Sequence, residues 1–211
     1  MNVLLGGLKG GCGKTSLATN LAAYLAGRGA DFALVDADRQ RSAAKWAERR
    51  SGVVNPIFCP EKVGQGLYQF LVELEHRTPI VIVDAGGRDS VELRQALLAA
   101  DVLYTPLTPS QLDIETLDEL RETVRLAKAM NPVLDARVVL SMVELGRGKD
   151  ELTDARETLA DYADDMTLSG SIVCRRKVYR QAVREGFGVV ESDNKLARLE
   201  IEALAQEIFG V

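Results

Sequence analysis

Cysteine and histidine are scarce in this sequence. Its 211 residues hold three cysteines, Cys12, Cys59 and Cys174, and a single histidine, His76. The cysteines are widely spaced with no C-x-x-C, which argues against a disulfide framework or a zinc site and for a reducing compartment. His76 has no histidine or cysteine near it and reads as a surface or packing residue. Long apolar runs are also missing: no stretch approaches the roughly 20 residues of a membrane span. The N-terminal "MNVLLGGLKGG" has no basic region leading into a long apolar run and cleavage site, so no secretory signal is expected. A basic surplus is absent too. Lys and Arg number 26 against 31 Asp and Glu, a formal net charge of −5, so any nucleic-acid contact must come from a local patch. No internal repeat, low-complexity tract or Pro/Gly/Ser linker divides the chain. With 46% hydrophobic and 27% charged residues, the expectation is one cytoplasmic globular domain over 1–211.

What is present is an alternation of short β-rich runs with helix-period segments. "NVLLGG" (2–7), "FALVDAD" (32–38), "VVNPIF" (53–58), "PIVIVDAG" (79–86), "DVLYTPL" (101–107) and "ARVVLSMV" (136–143) read as strands. Between and after them, "TSLATNLAAYLAGRG", "SAAKWAERR", "GLYQFLVELEHR", "SVELRQALLAA", "IETLDELRETVRLAKAM", "DELTDARETLADYADD" and "DNKLARLEIEALAQEIF" read as helices. Strands separated by helices of this length make βαβ units and a doubly wound, mostly parallel α/β sheet. The first strand begins at residue 2, so no separate DNA-reading module is expected upstream.

The densest chemistry lies in "GGLKGGCGKTS", residues 6–16. Placed between a strand and a helix N-terminus, such a run is a phosphate loop: unpaired backbone N–H groups and the helix dipole favour an anion. Gly10, Gly11 and Gly13 let the backbone close round phosphates, Lys14 would neutralise β/γ-phosphate charge, and the Thr15 hydroxyl would ligate Mg²⁺. The strict G-x-x-x-x-G-K-[ST] pattern fails, because its first glycine falls on Leu8. What stands is Lys9-Gly10-Gly11-Cys12-Gly13-Lys14-Thr15-Ser16.

That octet resembles the deviant Walker A motif, K-G-G-x-G-K-T-[ST], of the ParA/MinD group of P-loop ATPases. The resemblance implies an ATP-binding site over Lys9 to Ser16. It also implies a role for the second lysine: Lys9 would be the signature lysine that reaches the partner's phosphates across an ATP-dependent homodimer. At the end of the second strand, "VDADRQ" is similar to the family's D-x-D-P-Q run. By resemblance Asp38 positions the attacking water and Asp36 supports the metal shell, with Arg39 replacing the usual proline. "IVIVDAGG" supplies the Walker B position, where Asp84 should hold Mg²⁺ through a water. Gly86-Gly87-Arg88 departs from the family's more usual D-T-P. "ADVLYTPLTPSQLDIETL" is similar to the family's fifth strand and the following helix.

Two local basic clusters oppose the acidic average. "CRRKVYRQAVRE" sets Arg175, Arg176, Lys177, Arg180 and Arg184 against one acid, with Arg176, Arg180 and Arg184 on one expected helical face and Val173, Tyr179 and Val183 packing inward. "RQRSAAKWAERR" (39–50) has the same balance, with Arg41, Lys45 and Arg49 similarly spaced. Either stripe is a solvated helix face or a contact for the DNA backbone. The resemblance favours DNA for the C-terminal cluster, since the ParA group binds DNA without sequence preference through such residues. It implies a small ParA-like ATPase that associates with the nucleoid and partitions or positions a plasmid, chromosome or other cargo through a ParB-like or other adaptor, which stimulates a weak hydrolysis. The alternatives are a MinD-like membrane-surface ATPase and a metabolic P-loop synthase. Against the former, the tail "KLARLEIEALAQEIFGV" carries Glu200, Glu202 and Glu207 against Lys195 and Arg198. It reads as a docked core helix, and no membrane partner is expected.

Overall fold

The computed structural model describes residues 1–50, 55–87, 89–109, 116–144 and 148–210. In chain order the elements are β1 (Asn2–Gly7), α1 (Lys14–Gly27), β2 (Phe32–Ala37), α2 (Ser42–Arg50), α3 (Leu67–Glu75), β3 (Ile80–Gly87), α4 (Val91–Ala99) and β4 (Val102–Leu107). They continue with α5 (Leu117–Met130), β5 (Asp135–Val143), α6 (Gly148–Ala160), β6 (Thr167–Cys174), α7 (Lys177–Glu185), a 3₁₀ turn (Val189–Glu191) and α8 (Lys195–Phe209).

The six strands form one sheet in the order β2-β3-β1-β4-β5-β6, with every pairing parallel. β1 is central. From it the chain crosses to the edge strand β2, returns to β3 beside β1, then runs outward through β4, β5 and β6 on the other side. That reversal opens a crevice at the carboxyl ends of the middle strands, where ligands of doubly wound folds bind.

Strand residues two apart face the same side, and the core divides accordingly. Leu4, Val35, Val81, Val83, Leu103, Val138 and Leu140 pack under α3, α4, α5 and α6. Val3, Leu5, Leu34, Ile82, Tyr104, Val139 and Val173 pack under α1, α2, α7 and α8. Each fully buried aliphatic side chain contributes roughly 1.5–3 kcal/mol, so the two faces together outweigh any single polar contact in holding the crevice's shape. α1 is apolar on most of its circumference, with Leu17, Leu21, Ala22 and Leu25 all at most 1% exposed. It is therefore sandwiched between sheet and outer helices rather than laid on a surface. α8 docks through Ile201, Leu204, Ala205 and Ile208, as its composition predicts.

Two expectations are corrected. Residues 55–58 form no strand, and residues 53 and 54 of that predicted element lie outside the described residues. Pro56 lacks an amide to donate. The segment instead lends carbonyls to β2: Leu34 N donates to Phe58 O and Asp36 N to Pro60 O, each at 3.0 Å. Conversely, "TLSGSIVC" (167–174) is the edge strand β6. Its serine and glycine content hides it, because the buried Ser169 and Ser171 are satisfied by the distant Glu207, whose Oε2 accepts from both hydroxyls at 2.9 and 2.8 Å.

Candidate nucleotide site

The phosphate loop joins the end of β1 to the start of α1. Gly11 (φ +78°) and Gly13 (φ +104°) occupy left-handed backbone that a side chain would strain. Leu17 N donates to Gly13 O at 2.9 Å, so the helix ladder begins inside the loop. From β5, Ser141 Oγ donates to Cys12 O at 2.7 Å and ties the loop to the sheet. Lys14 is only 6% exposed. Its Nζ donates to Lys9 O and lies 3.7 Å from Cys12 Sγ. The ammonium thus sits within the concave backbone that a polyphosphate would enter.

Two sizeable cavities lie beside this loop. The larger, about 900 Å³, is lined by Lys9, Gly10, Gly11, Gly13, Lys14, Thr15, Ser16, Asp38, Gln40 and Gly87, among others. The smaller, about 300 Å³, lies beside it among Cys12, Leu17, Ser141, Met142, Val173, Tyr179 and neighbouring residues. The first is polar and glycine-walled, suited to phosphates; the second is largely apolar with a ring at its wall, suited to a nucleobase and sugar. Together they gather Lys9, Lys14, Thr15, Ser16 and Asp38 on one wall system, as expected from their positions. Met142, Ser141, Gln40 and Tyr179 are cavity residues that sequence reasoning missed. Met142 holds φ +54° within β5, a strained position of the kind that concentrates at functional sites, and nothing in its local sequence signals that.

The carboxylates behave differently from one another. Asp36 and Asp84 sit side by side in register on β2 and β3, each 1% exposed. Asp36 Oδ1 accepts from Asp38 N at 3.0 Å and Oδ2 from Ala44 N at 2.8 Å. Burial raises its pKa above the usual carboxylate value against those lowering bonds. With each oxygen accepting one backbone amide, Asp36 shapes the turn that presents Asp38 and starts α2. Asp38 Oδ1 accepts from Gln40 N at 3.0 Å, and its carboxylate lies against Gly86, where a Cβ would come within 3.1 Å of it.

Asp84 bonds to the Thr15 side chain, yet its Oδ2 is buried without a hydrogen-bond partner among the described residues. Burial first, then the charges of Asp36 and Asp38, push it up to about 8 despite Thr15 and Lys14. An orphaned buried oxygen beside a threonine hydroxyl at the mouth of a phosphate cradle fits Mg²⁺. The described residues hold no cluster of three or more His, Cys, Asp or Glu side chains able to hold a metal by themselves. This suits an ion that keeps waters and phosphate oxygens as ligands.

The departures from the family pattern also acquire physical content. Arg39, 83% exposed, places Nε 3.7 Å from Glu92 Oε1 at the start of α4, and Glu92 also accepts from Gly64 N at 3.0 Å. An ion pair stands where the family's proline would restrict the turn. Gly87 approaches the phosphate loop so closely that a Cβ there would lie 2.8 Å from Gly10 N and from Lys9 O. Arg88 lies outside the described residues.

The basic clusters are largely paired. Arg176 is not helical: it caps α7 in an extended conformation (φ −129°, ψ 141°), and Val173 belongs to β6. The expected stripe from 176 to 184 on one helix is thereby corrected, because the strand runs on to Cys174. Arg176 donates from Nε and Nη2 to Glu200 Oε1 at 2.9 and 2.6 Å, and Tyr179 Oη donates to Glu200 Oε2 at 2.9 Å. Arg175 pairs with Glu144 at 3.2 Å and Arg184 lies 3.6 Å from Glu185. Lys177 and Arg180 are exposed. In the earlier cluster, Arg41 pairs with Glu61 and Glu48, and the fully buried Arg50 with Glu191.

A family model described as the CobQ/CobB/MinD/ParA nucleotide binding domain matches residues 3–189. The chain belongs to this family. Among curated proteins, it is 31% identical over 207 residues to the maintenance of carboxysome distribution protein A of Halothiobacillus neapolitanus, covering 95% of this chain and 93% of that one. Among solved structures, MinD from Aquifex aeolicus superposes with a TM-score of 0.80 at 16% identity, covering 100% of this chain and 97% of that one. Apo McdA from Cyanothece gives 0.79 at 17%, covering 99% of both. The chain is therefore a ParA/MinD-type P-loop ATPase with the parallel α/β fold of that group. No helix among the described residues is long and apolar enough to cross a membrane.

Proposed function

We propose that this chain is a ParA-type positioning ATPase: it dimerises with ATP and Mg²⁺, binds DNA without sequence preference, and moves a cargo through an adaptor that stimulates hydrolysis. The observation that carries the reading is the division of labour between two lysines. Lys14 is buried with its ammonium donating to Lys9 O inside the loop, and both Lys9 and Lys14 line the larger cavity. A loop that already holds its own cation has a second lysine to offer a phosphate from another side, as a trans-acting charge in a homodimer.

In that reading the smaller cavity takes the base and sugar, and the glycine-walled one takes the phosphates. Thr15, and Asp84 through a water, would hold Mg²⁺, which supplies charge neutralisation on the β- and γ-phosphate oxygens. Lys14 binds the β/γ-phosphates. Asp38, supported by the Asp36 turn, orients the water that attacks the γ-phosphate. Because Gly87 touches the loop and Gly86 touches Asp38, a change at the γ-phosphate reaches the carboxyl end of β3 directly.

The name of the Halothiobacillus relative, covering nearly the full length of both chains, favours a protein organelle of the carboxysome type as cargo over a plasmid. Nucleoid DNA would be the track. α8 is docked on the core, which speaks for DNA over a membrane surface. The test is binding of unrelated duplex DNA with ATP, with ADP and with no nucleotide across a salt series, beside a Lys177→Ala/Arg184→Ala variant. Salt-sensitive binding that needs ATP and falls in the variant supports the proposal. No binding in any state sinks it and leaves the membrane-surface and metabolic branches of the family, which liposome binding would then separate.

A further inference from the structure

Arg180 lies among residues that a charge count assigns to DNA, yet its surroundings say otherwise. It lines both cavities of the nucleotide site. Among the described residues it is the one charged side chain the two share; the others in common are Gly11, Gly13, Ser16 and Met142. A group at that junction meets the part of a nucleotide that joins its two halves. We infer that Arg180 is a nucleotide-contacting residue, binding the α-phosphate–ribose junction of the molecule held in its own subunit. This rests on the ATP-site reading above and deepens it.

The geometry of α7 supports the assignment. Its entry is rigid: Arg176 and Tyr179 are both held by the Glu200 carboxylate, and Cys174 N donates to the same group at 3.2 Å. Arg180 stands in the first turn of α7, four residues after the extended cap residue Arg176. No carboxylate among the described residues forms an ion pair with it. A guanidinium so placed offers a planar fork matched to phosphate oxygens. Its neighbours in the smaller cavity, Val173, Met142 and Leu17, line one side of such a contact with apolar surface.

The contacted atoms are common to ATP, ADP and AMP, so Arg180 retains nucleotide through the whole cycle rather than sensing hydrolysis. It also anchors α7, the helix of the C-terminal basic segment, to the nucleotide itself.

The experiment is calorimetric titration of wild-type protein, Arg180→Ala, Arg180→Lys and the neighbouring surface control Gln181→Ala with a slowly hydrolysed ATP analogue, with ADP and with adenosine. Loss of one charge-assisted hydrogen bond weakens binding about tenfold. The expected result is that Arg180→Ala loses about tenfold on both the ATP analogue and ADP, by equal factors, with adenosine unchanged. Arg180→Lys recovers part of the loss, and Gln181→Ala resembles wild type. Unchanged ADP affinity in Arg180→Ala overturns the inference, as does a loss confined to the ATP analogue, which would place the side chain at the γ-phosphate. Wild-type protein that binds neither nucleotide overturns the ATP-site reading itself, so the two failures separate on the wild-type titration.

Discussion

Replacing Asp84 by asparagine tests whether the buried carboxyl group is kept for a metal at the expense of the empty protein's stability. Asp84 is 1% exposed, and its Oδ2 has no partner among the described residues. Its pKa rises from 3.8 to about 8. Between those values the folded protein holds a proton that the unfolded chain has released, so folding takes up a proton. Stability therefore falls as pH rises through that window and is level above it and below it. Each unit is worth about 1.4 kcal/mol, so two units of pH inside the window cost the wild type about 3 kcal/mol that Asp84→Asn does not lose. In urea unfolding without nucleotide, the stability gap between variant and wild type should widen in the variant's favour by about that amount from pH 5 to pH 7. The absolute gap is a poorer measure, because the new amide has its own buried donors to satisfy. In nucleotide titrations the same variant should lose the tightening that Mg²⁺ gives the wild type. Parallel stability–pH curves for the two proteins would refute the electrostatic reasoning. Retained Mg²⁺ tightening would refute the metal role.

Lys14→Ala should abolish ATP binding in equilibrium titration; unchanged affinity would remove the phosphate-loop assignment. Lys9→Ala should still bind ATP but fail to turn it over productively, and normal steady-state turnover would end the trans-lysine role. Arg50→Met should cost about 3–5 kcal/mol in chemical unfolding, since it strands Glu191 after removing a fully buried, bidentate partner at 2.7 and 2.6 Å. Adding Glu191→Gln should restore part of that, and a double variant no better than the single would argue against a paired-charge origin.

The parts of this site that could be read in the sequence are those whose chemistry is local. A strand, a glycine run, G-K-T-S and a helix follow one another along a single short stretch of chain, and the structure assembles them in that order, with Ser141 of β5 adding one distant tie. The parts that could not be read depend on partners far along the chain. Arg176 reads as a surface cation until Glu200, 24 residues on, is seen to neutralise it. β6 reads as loop until Glu207 is seen to satisfy Ser169 and Ser171. Asp36 has the spacing to face the crevice, and the two backbone amides its oxygens also accept from could not be read from that spacing. Charge and spacing name the groups available; burial and pairing decide which remain at a ligand's disposal.

The two glycines after Asp84 illustrate how a departure from a family pattern can preserve its mechanical role. A proline in this connection would stiffen it through its fixed φ. Here closeness imposes the constraint: Gly87 has the loop backbone at 2.8 Å from where its Cβ would stand, and Gly86 has the Asp38 carboxylate at 3.1 Å. Neither position admits a side chain without moving the phosphate loop or the Asp38 carboxylate. The carboxyl end of β3 is therefore in close contact with both the phosphate loop and Asp38. On the opposite flank, Arg39 reaches from the Asp38 turn to Glu92 in α4, the same helix that the glycines lead into. A shift of Asp38 on γ-phosphate release would thus act on α4 from two directions, through the glycine contacts and through the ion pair. Such doubled connections favour two discrete arrangements over a continuous range, which is what a nucleotide-dependent switch requires of its frame.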